Sequence, residues 1–264
     1  MKPRALLMVV SMVGLATVAF SPARAAEDAA QGEPTETSAR PAHAERTSGV
    51  AAPLRRVTLG RSSLGQRISA LELAGRDSRS GEILVVGCIH GNECAGSRVT
   101  RLLASLRRQA RSDVWLVHDL NPDGSTRGSR QNARGVDLNR NFPAGWRAGG
   151  KPWDPYYPGT RPLSEPETRA IARLILRIRP ETTIWFHQPQ AVVRAWGKSI
   201  AAARRYAQLS GEPFRALRWP PGAATHWQNR RFAGASSFVV ELPPGPLPRA
   251  AARRHAFAIL ALAG

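Results

Sequence analysis

Cysteine is scarce in this chain: the 264 residues hold two, Cys88 and Cys94. Neither belongs to a CxxC pair, so the thiolate framework of a structural zinc site is excluded. Acidic residues are also few, 19 against 38 basic ones, giving a formal charge of +19 at pH 7. The apolar run Leu6 to Phe20 is shorter than the roughly 20 residues that span a bilayer, which argues against a retained membrane anchor. There is no internal repeat and no second composition boundary, so neither a solenoid nor a two-domain chain is expected.

What is present at the N-terminus reads as an export signal. Lys2 and Arg4 precede the apolar run, and Ala23-Arg24-Ala25 follows it with the small-x-small pattern of a cleavage site. Residues 1–25 are therefore expected to be a signal peptide cleaved after Ala25, and the protein to be secreted: extracellular, periplasmic or cell-wall associated. Loss of Lys2, Arg4 and Arg24 with that segment lowers the formal charge from +19 to +16. Residues 26–52 are rich in Ala, Glu, Pro, Thr and Ser without apolar periodicity and read as a flexible leader. Residues 53–264 suit one domain with a sizeable core. The positive charge is mostly arginine scattered over the whole chain. It favours polyanions, and for an exported protein that means an anionic cell-wall polymer and not nucleic acid. Solubility alone accounts for the arginines equally well.

Apolar alternation predicts strands over residues 54–59 and 67–73, joined at Ser62-Ser63-Leu64-Gly65. Continuous apolar runs over 82–89 and 114–120 suit inner strands covered on both faces. Further strands are expected at 182–186, 192–196 and 236–241. Apolar positions recur at helical spacing over 94–109, and further helices are expected over the Ala-rich 198–209, over 223–232 and over 248–263. Another helix starts at Ser164-Glu165-Pro166-Glu167, with Ser as cap and Pro early, and runs to about Arg179. Asn121-Pro122-Asp123-Gly124 is a turn signal. Residues 125–163 read as a long loop, and such loops in compact domains are usually functional. Alternating strands and helices indicate an α/β sheet with helices on both faces, in which sites gather where strands end.

The chemistry lies at those strand ends. His90-Gly91-Asn92-Glu93 closes one apolar run, His187 another, and Glu241 a third. A hydrolytic zinc takes three protein ligands and keeps one position for water; two His and one Glu form such a set. His90, Glu93 and His187 can supply it, with one Zn2+ per chain. Glu241 is placed to act as general base, and Asp137 can accept the other N–H of His90. Arg130 can stabilise charge developing on a carbonyl oxygen. Asn139 and Arg140 can hold a substrate carboxylate as a forked pair. The remaining arginines between 98 and 134 read as surface charge, and His43, His118, His226 and His255 as structural or exposed. Cys88 and Cys94 flank the ligand turn; a disulfide and two small buried residues are both open readings.

Taken in order, the His90–Glu93 motif, Asn121-Pro122-Asp123-Gly124, the stretch Arg130-Gln131-Asn132-Ala133-Arg134-Gly135-Val136-Asp137-Leu138-Asn139-Arg140-Asn141-Phe142-Pro143, a distant His and a strand-end Glu resemble the M14 zinc carboxypeptidases over residues 53–264. The resemblance implies the roles just given for His90, Glu93, His187, Arg130, Asn139, Arg140, Glu241 and Asp137. It also implies a mixed, mostly parallel α/β sheet of about eight strands sandwiched between helices. Within the family, Tyr156 to Arg169, His187-Gln188-Pro189 and Ser237 to Pro243 are similar to bacterial murein peptide amidases of the γ-D-glutamyl-meso-diaminopimelate peptidase type, which implies a peptide or muropeptide substrate. Those amidases are often cytoplasmic recycling enzymes, whereas this chain carries an export signal. Digestive family members carry a Tyr on a mobile loop before the catalytic Glu; residues 219–235 hold none here. The expectation is a secreted, monomeric zinc peptidase cutting an amide beside a free carboxylate. A carboxypeptidase for ordinary L-peptides, a deacylase of the desuccinylase type and a catalytically weak envelope-binding protein are the alternatives.

Overall fold

A computed structural model describes residues 54–77 and 81–262. The expected signal peptide and leader lie outside the described residues. Eight strands are β1 (Arg55–Arg61), β2 (Arg67–Leu73), β3 (Ile83–Val86), β4 (Val114–Val117), β5 (Thr182–His187), β6 (Val192–Ala195), β7 (Phe214–Ala216) and β8 (Ser236–Glu241). The helices are α1 (Gly96–Ser105), α2 (Pro122–Arg127), α3 (Pro166–Ile178), α4 (Ile200–Ser210), α5 (Ala224–Arg231) and α6 (Arg249–Leu262). The strands form one sheet in the order β1-β2-β4-β3-β5-β8-β6-β7. Its centre, β4-β3-β5-β8, is parallel, and the antiparallel pairs are β1–β2, β2–β4 and β8–β6.

Alternation along the central strands divides the interior into two layers. Val85, Ile184, Phe186, Phe238 and Val240 face a core built with α1, α4 and α6. Leu84, Val86, Trp185 and Val239 face the other, with Ile171 and Ile175 of α3 and Trp227 of α5. Because side chains repeat every second residue, His187 shares the face of Trp185, and Glu241 that of Val239. Among the described residues, no helix is long and apolar enough to cross a membrane.

Two local expectations are revised, and one strand is present that the sequence did not indicate. Asn121 does not make a simple turn: its Oδ1 accepts from the Gly124 N–H at 3.0 Å and caps α2, with Pro122 in the first turn. Ser164 does not cap α3. Glu165 holds that position, and the Ser164 hydroxyl donates to Glu165 Oε1 at 2.7 Å and accepts from Asn141 Nδ2 at 2.9 Å. The edge strand β7 has three residues, too few to show a period.

Stability should depend on two histidines outside the strand-end cluster. Burial, with Arg101 and Arg56 nearby, lowers His118 to about 4. Burial, with Arg254, lowers His255 to about 4; Glu212 Oε1, at 3.6 Å from its Nε2, is too distant to reverse this. Between pH 6.5 and 4 the unfolded chain binds these protons and the folded one does not. The stabilisation is thus complete above pH 6.5 and lost as pH falls towards 4, with a slope for His255 of up to about 1.4 kcal/mol per pH unit. Urea unfolding at pH 7 and pH 5 should show a smaller difference for His255→Gln than for the unaltered protein; an equal difference would dismiss this account.

Candidate metal centre and substrate cavity

Strands β3, β5 and β8 are neighbours and run the same way, so their C-terminal ends lie side by side. His187 ends β5 and Glu241 ends β8, and the two are register partners. His90 and Glu93 follow β3 in a turn where the Glu93 N–H donates to the His90 carbonyl at 2.9 Å. Gly91 belongs there because a Cβ would lie 2.0 Å from the backbone of Gly124. A disulfide joins Cys88 to Cys94 and encloses this turn.

The expected ligands converge. His90 Nδ1, His187 Nδ1 and Glu93 Oε2 form a triangle with edges of 3.0, 3.0 and 3.1 Å. Ligands bound at about 2.0–2.1 Å around a tetrahedral ion lie about 3.3 Å apart, so this donor set fits zinc in type and spacing. His90 Nε2 lies 3.0 Å from Asp137 Oδ1. Donation of its N–H there leaves the Nδ1 lone pair directed into the triangle. Burial opposes charge on His90, yet Asp137 raises its pKa overall. Burial lowers that of His187. Burial also opposes ionisation of Glu93 and Asp137, but hydrogen bonds and the charge of the histidines hold Glu93 far below the usual carboxylate range, and His90 does the same for Asp137.

Arg130 is fixed by this cluster. Its Nε and Nη2 donate to Asp137 Oδ2 at 3.1 and 2.9 Å, and its Nη1 to Glu93 Oε1 at 2.7 Å. Three of the roughly five N–H groups of a guanidinium are thereby used. Asn139 is more committed than its expected role requires. Its Oδ1 accepts from the Ala224 N–H at 3.0 Å, and its Nδ2 lies 3.4 Å from His187 Nε2. Arg140 donates from Nη1 to the Asn139 carbonyl at 2.8 Å. The ring of Tyr156, largely exposed, lies 5.5 Å from the Arg130 guanidinium and 5.0 Å from that of Arg140. A tyrosine therefore does face this site, from a segment remote in sequence from Glu241.

Elsewhere in the 130–143 stretch, asparagines hold the backbone. Asn141, fully buried, donates from Nδ2 to the Pro158 and Arg161 carbonyls and accepts at Oδ1 from Thr168 Oγ1. Asn132 donates to Glu165 and Glu167 and accepts from the Arg134 and Val136 N–H groups. The segment expected to be a long loop is thus pinned from within.

The His90–Glu93–His187 triangle, Arg130, Asn139, Arg140 and Tyr156 line a cavity of about 470 Å³ that also reaches Glu241. Glu241 is buried; its Oε1 accepts from Arg194 Nη1 at 3.2 Å, and its Oε2 has no partner among the described residues. Arg194, Arg218, Trp219 and Thr225 are among the lining residues that the sequence did not single out. Gln188 donates to the carbonyls of Pro243 and Gly245 at 2.7 and 2.8 Å and accepts from the Ala95 N–H at 3.2 Å, tying three loops together. The sequence did carry one signal, a charged Arg194 inside the apolar strand Val192-Val193-Arg194-Ala195.

A two-His, one-carboxylate cluster at the ends of parallel strands has the donor set of a hydrolytic zinc site. The chain belongs to the zinc carboxypeptidase family, Peptidase_M14, whose model matches residues 51–212. It is thereby a member of a hydrolase family, as the resemblance implied. It is 37% identical to murein peptide amidase A of Escherichia coli strain K12 over 147 residues, covering 51% of this chain and 59% of that one. With murein peptide amidase A of Vibrio campbellii it shares 32% identity over 175 residues, 61% of this chain and 69% of that one. The solved murein-tripeptide amidase MpaA of Escherichia coli O157 superposes with a TM-score of 0.65 at 30% identity, covering 78% of this chain and 90% of that one. Carboxypeptidase A of Helicoverpa armigera shares the fold, with a TM-score of 0.67 at 18% identity over 78% of this chain and 66% of that one.

Proposed function

We propose that this chain is an exported zinc peptidase that hydrolyses the amide between γ-D-glutamate and meso-diaminopimelate in cell-wall peptides. The observation that carries the reading is the triangle of His90, Glu93 and His187 beside Glu241, within one cavity. Zinc, when bound, supplies a Lewis acid that polarises a carbonyl and lowers the pKa of water. His90, Glu93 and His187 would hold it, with Asp137 fixing the His90 tautomer. Glu241 accepts the proton of the attacking water and returns it to the leaving amine. Arg130 presents its remaining N–H groups to the developing oxyanion. Arg140, with the free N–H of Asn139, holds the carboxylate of the departing residue.

Support for this bond comes from the similarity to proteins named for murein peptides. Support for export comes from the N-terminal segment and from the Cys88–Cys94 disulfide, which an oxidising compartment permits. Mass spectrometry of L-Ala-γ-D-Glu-meso-diaminopimelate incubated with the protein should show release of diaminopimelate, and hippuryl-type L-substrates should react much more slowly. Cleavage of the L-substrates alone would replace this reading with an ordinary carboxypeptidase.

A further inference from the structure

The part of the cavity lined by β6, the 218–219 segment and α5 has more hydrogen-bond donors than acceptors to meet them. Arg194 Nε, Trp219 Nε1 and Thr225 Oγ1 are all buried, and none has a hydrogen-bond partner among the described residues. All three residues line the same cavity as His90, Glu93 and His187, and so does Arg218. A buried polar group left unpaired is costly. Three unpaired donors in one cavity therefore point to an acceptor delivered by the ligand.

The arrangement of Arg194 narrows the kind of acceptor. Arg194 is the register partner of Val239, two residues before Glu241 on β8, so it stands on the same face as the base. Its Nη1 is engaged by Glu241 Oε1 at 3.2 Å. Its Nε–H, with the neighbouring Nη2, forms the side-on edge of the guanidinium, the edge by which Arg130 grips Asp137. That edge matches a carboxylate in charge and in fork spacing. Thr225 lies next to Ala224, whose N–H holds Asn139. The donors are therefore separate from the Asn139–Arg140 pair but within one residue's reach of it.

We infer that Arg194, with Trp219 and Thr225, forms a second anion subsite that receives a carboxylate on the side chain of the residue released by cleavage. The inference rests on the proposed function for its place in the reaction. It assigns to this chain a preference for leaving residues with two carboxylates, one beside the scissile bond and one at the far end of the side chain. Meso-diaminopimelate has that form, and lysine lacks only the distal carboxylate.

The test compares kcat/KM of the zinc-loaded protein for L-Ala-γ-D-Glu-meso-diaminopimelate and L-Ala-γ-D-Glu-L-lysine. The unaltered protein should favour the first by about 30-fold or more, since sites built to hydrogen-bond a group reject analogues that lack it. Arg194→Leu touches Glu241, so the ratio is read and not the rate: it should fall to within about threefold of unity. Thr225→Val and Trp219→Phe each remove one donor of the subsite and should lower the ratio. Free diaminopimelate should inhibit the unaltered protein more strongly than free lysine, and Arg194→Leu should abolish that difference. Equal use of the two tripeptides, or an Arg194→Leu variant slowed alike on both, overturns the subsite. If neither tripeptide is cut but L-peptides are, the proposed bond fails on its own. The subsite is then decided by hippuryl-L-glutamate against hippuryl-L-lysine: preference for glutamate upholds it, and preference for lysine overturns it.

Discussion

Glu241→Gln should leave zinc bound at one ion per chain and lower kcat by about 10³-fold, within the range measured for loss of a general base. The side chain is buried at the end of β8, in register with His187 on β5, and one carboxylate oxygen has no partner. Glutamine has the same shape and can still accept from Arg194 Nη1 through its amide oxygen, so the wall of the cavity stays in place. It cannot take a proton from water. Zinc content, folding and substrate KM should therefore be nearly unaltered while turnover is lost. A Glu241→Gln protein that turns over at the normal rate would remove this carboxylate from the mechanism and leave the cluster without a base.

Removal of the metal should be equally severe and, unlike the loss of Glu241, reversible. Chelation should abolish hydrolysis, and added Zn2+ should restore it. His187→Ala should lose both zinc and activity, with no recovery at micromolar zinc. The reason lies in the triangle of donors: with one imidazole gone, two ligands remain, and hydrolytic zinc sites use three. Zinc should also raise the midpoint of thermal unfolding in the unaltered protein, because a ligand that binds only the folded state stabilises it by mass action; His187→Ala should show no such rise. Full activity in a protein that atomic absorption finds free of metal would sink the proposed chemistry.

Much of this architecture was legible in the residues. The apolar runs before His187 and Glu241 are strands, the run before His90 is a strand only as far as Val86, and β2 and β8 have the expected bounds. Helix ends were less legible. At α3, Ser164 looked like a cap because Ser before Pro and Glu is a local signal, but Asn141, 23 residues away in sequence, recruits its hydroxyl. At 125–163 the lack of periodicity hid order that Asn132 and Asn141 impose through contacts distant along the chain. Periodicity cannot report such contacts, since it records only neighbours on one element.

For the site, the chain alone determined what can be set by spacing. His90 and Glu93 are three residues apart on one turn, and a ligand pair at that separation needs little beyond local backbone geometry. His187 and Glu241 at strand ends follow from the length of their apolar runs. Tertiary structure decided the rest. The sheet order puts β5 between β3 and β8, which brings His187 to His90 on one side and to Glu241 on the other. It also decided that Asn139 is held by Ala224, that Arg130 is tied to Glu93 and Asp137, and that Arg194 lines the cavity with its Nε unpaired among the described residues. Strand order and cross-strand neighbours come from burying both faces of the whole sheet at once, and no window of sequence contains that balance.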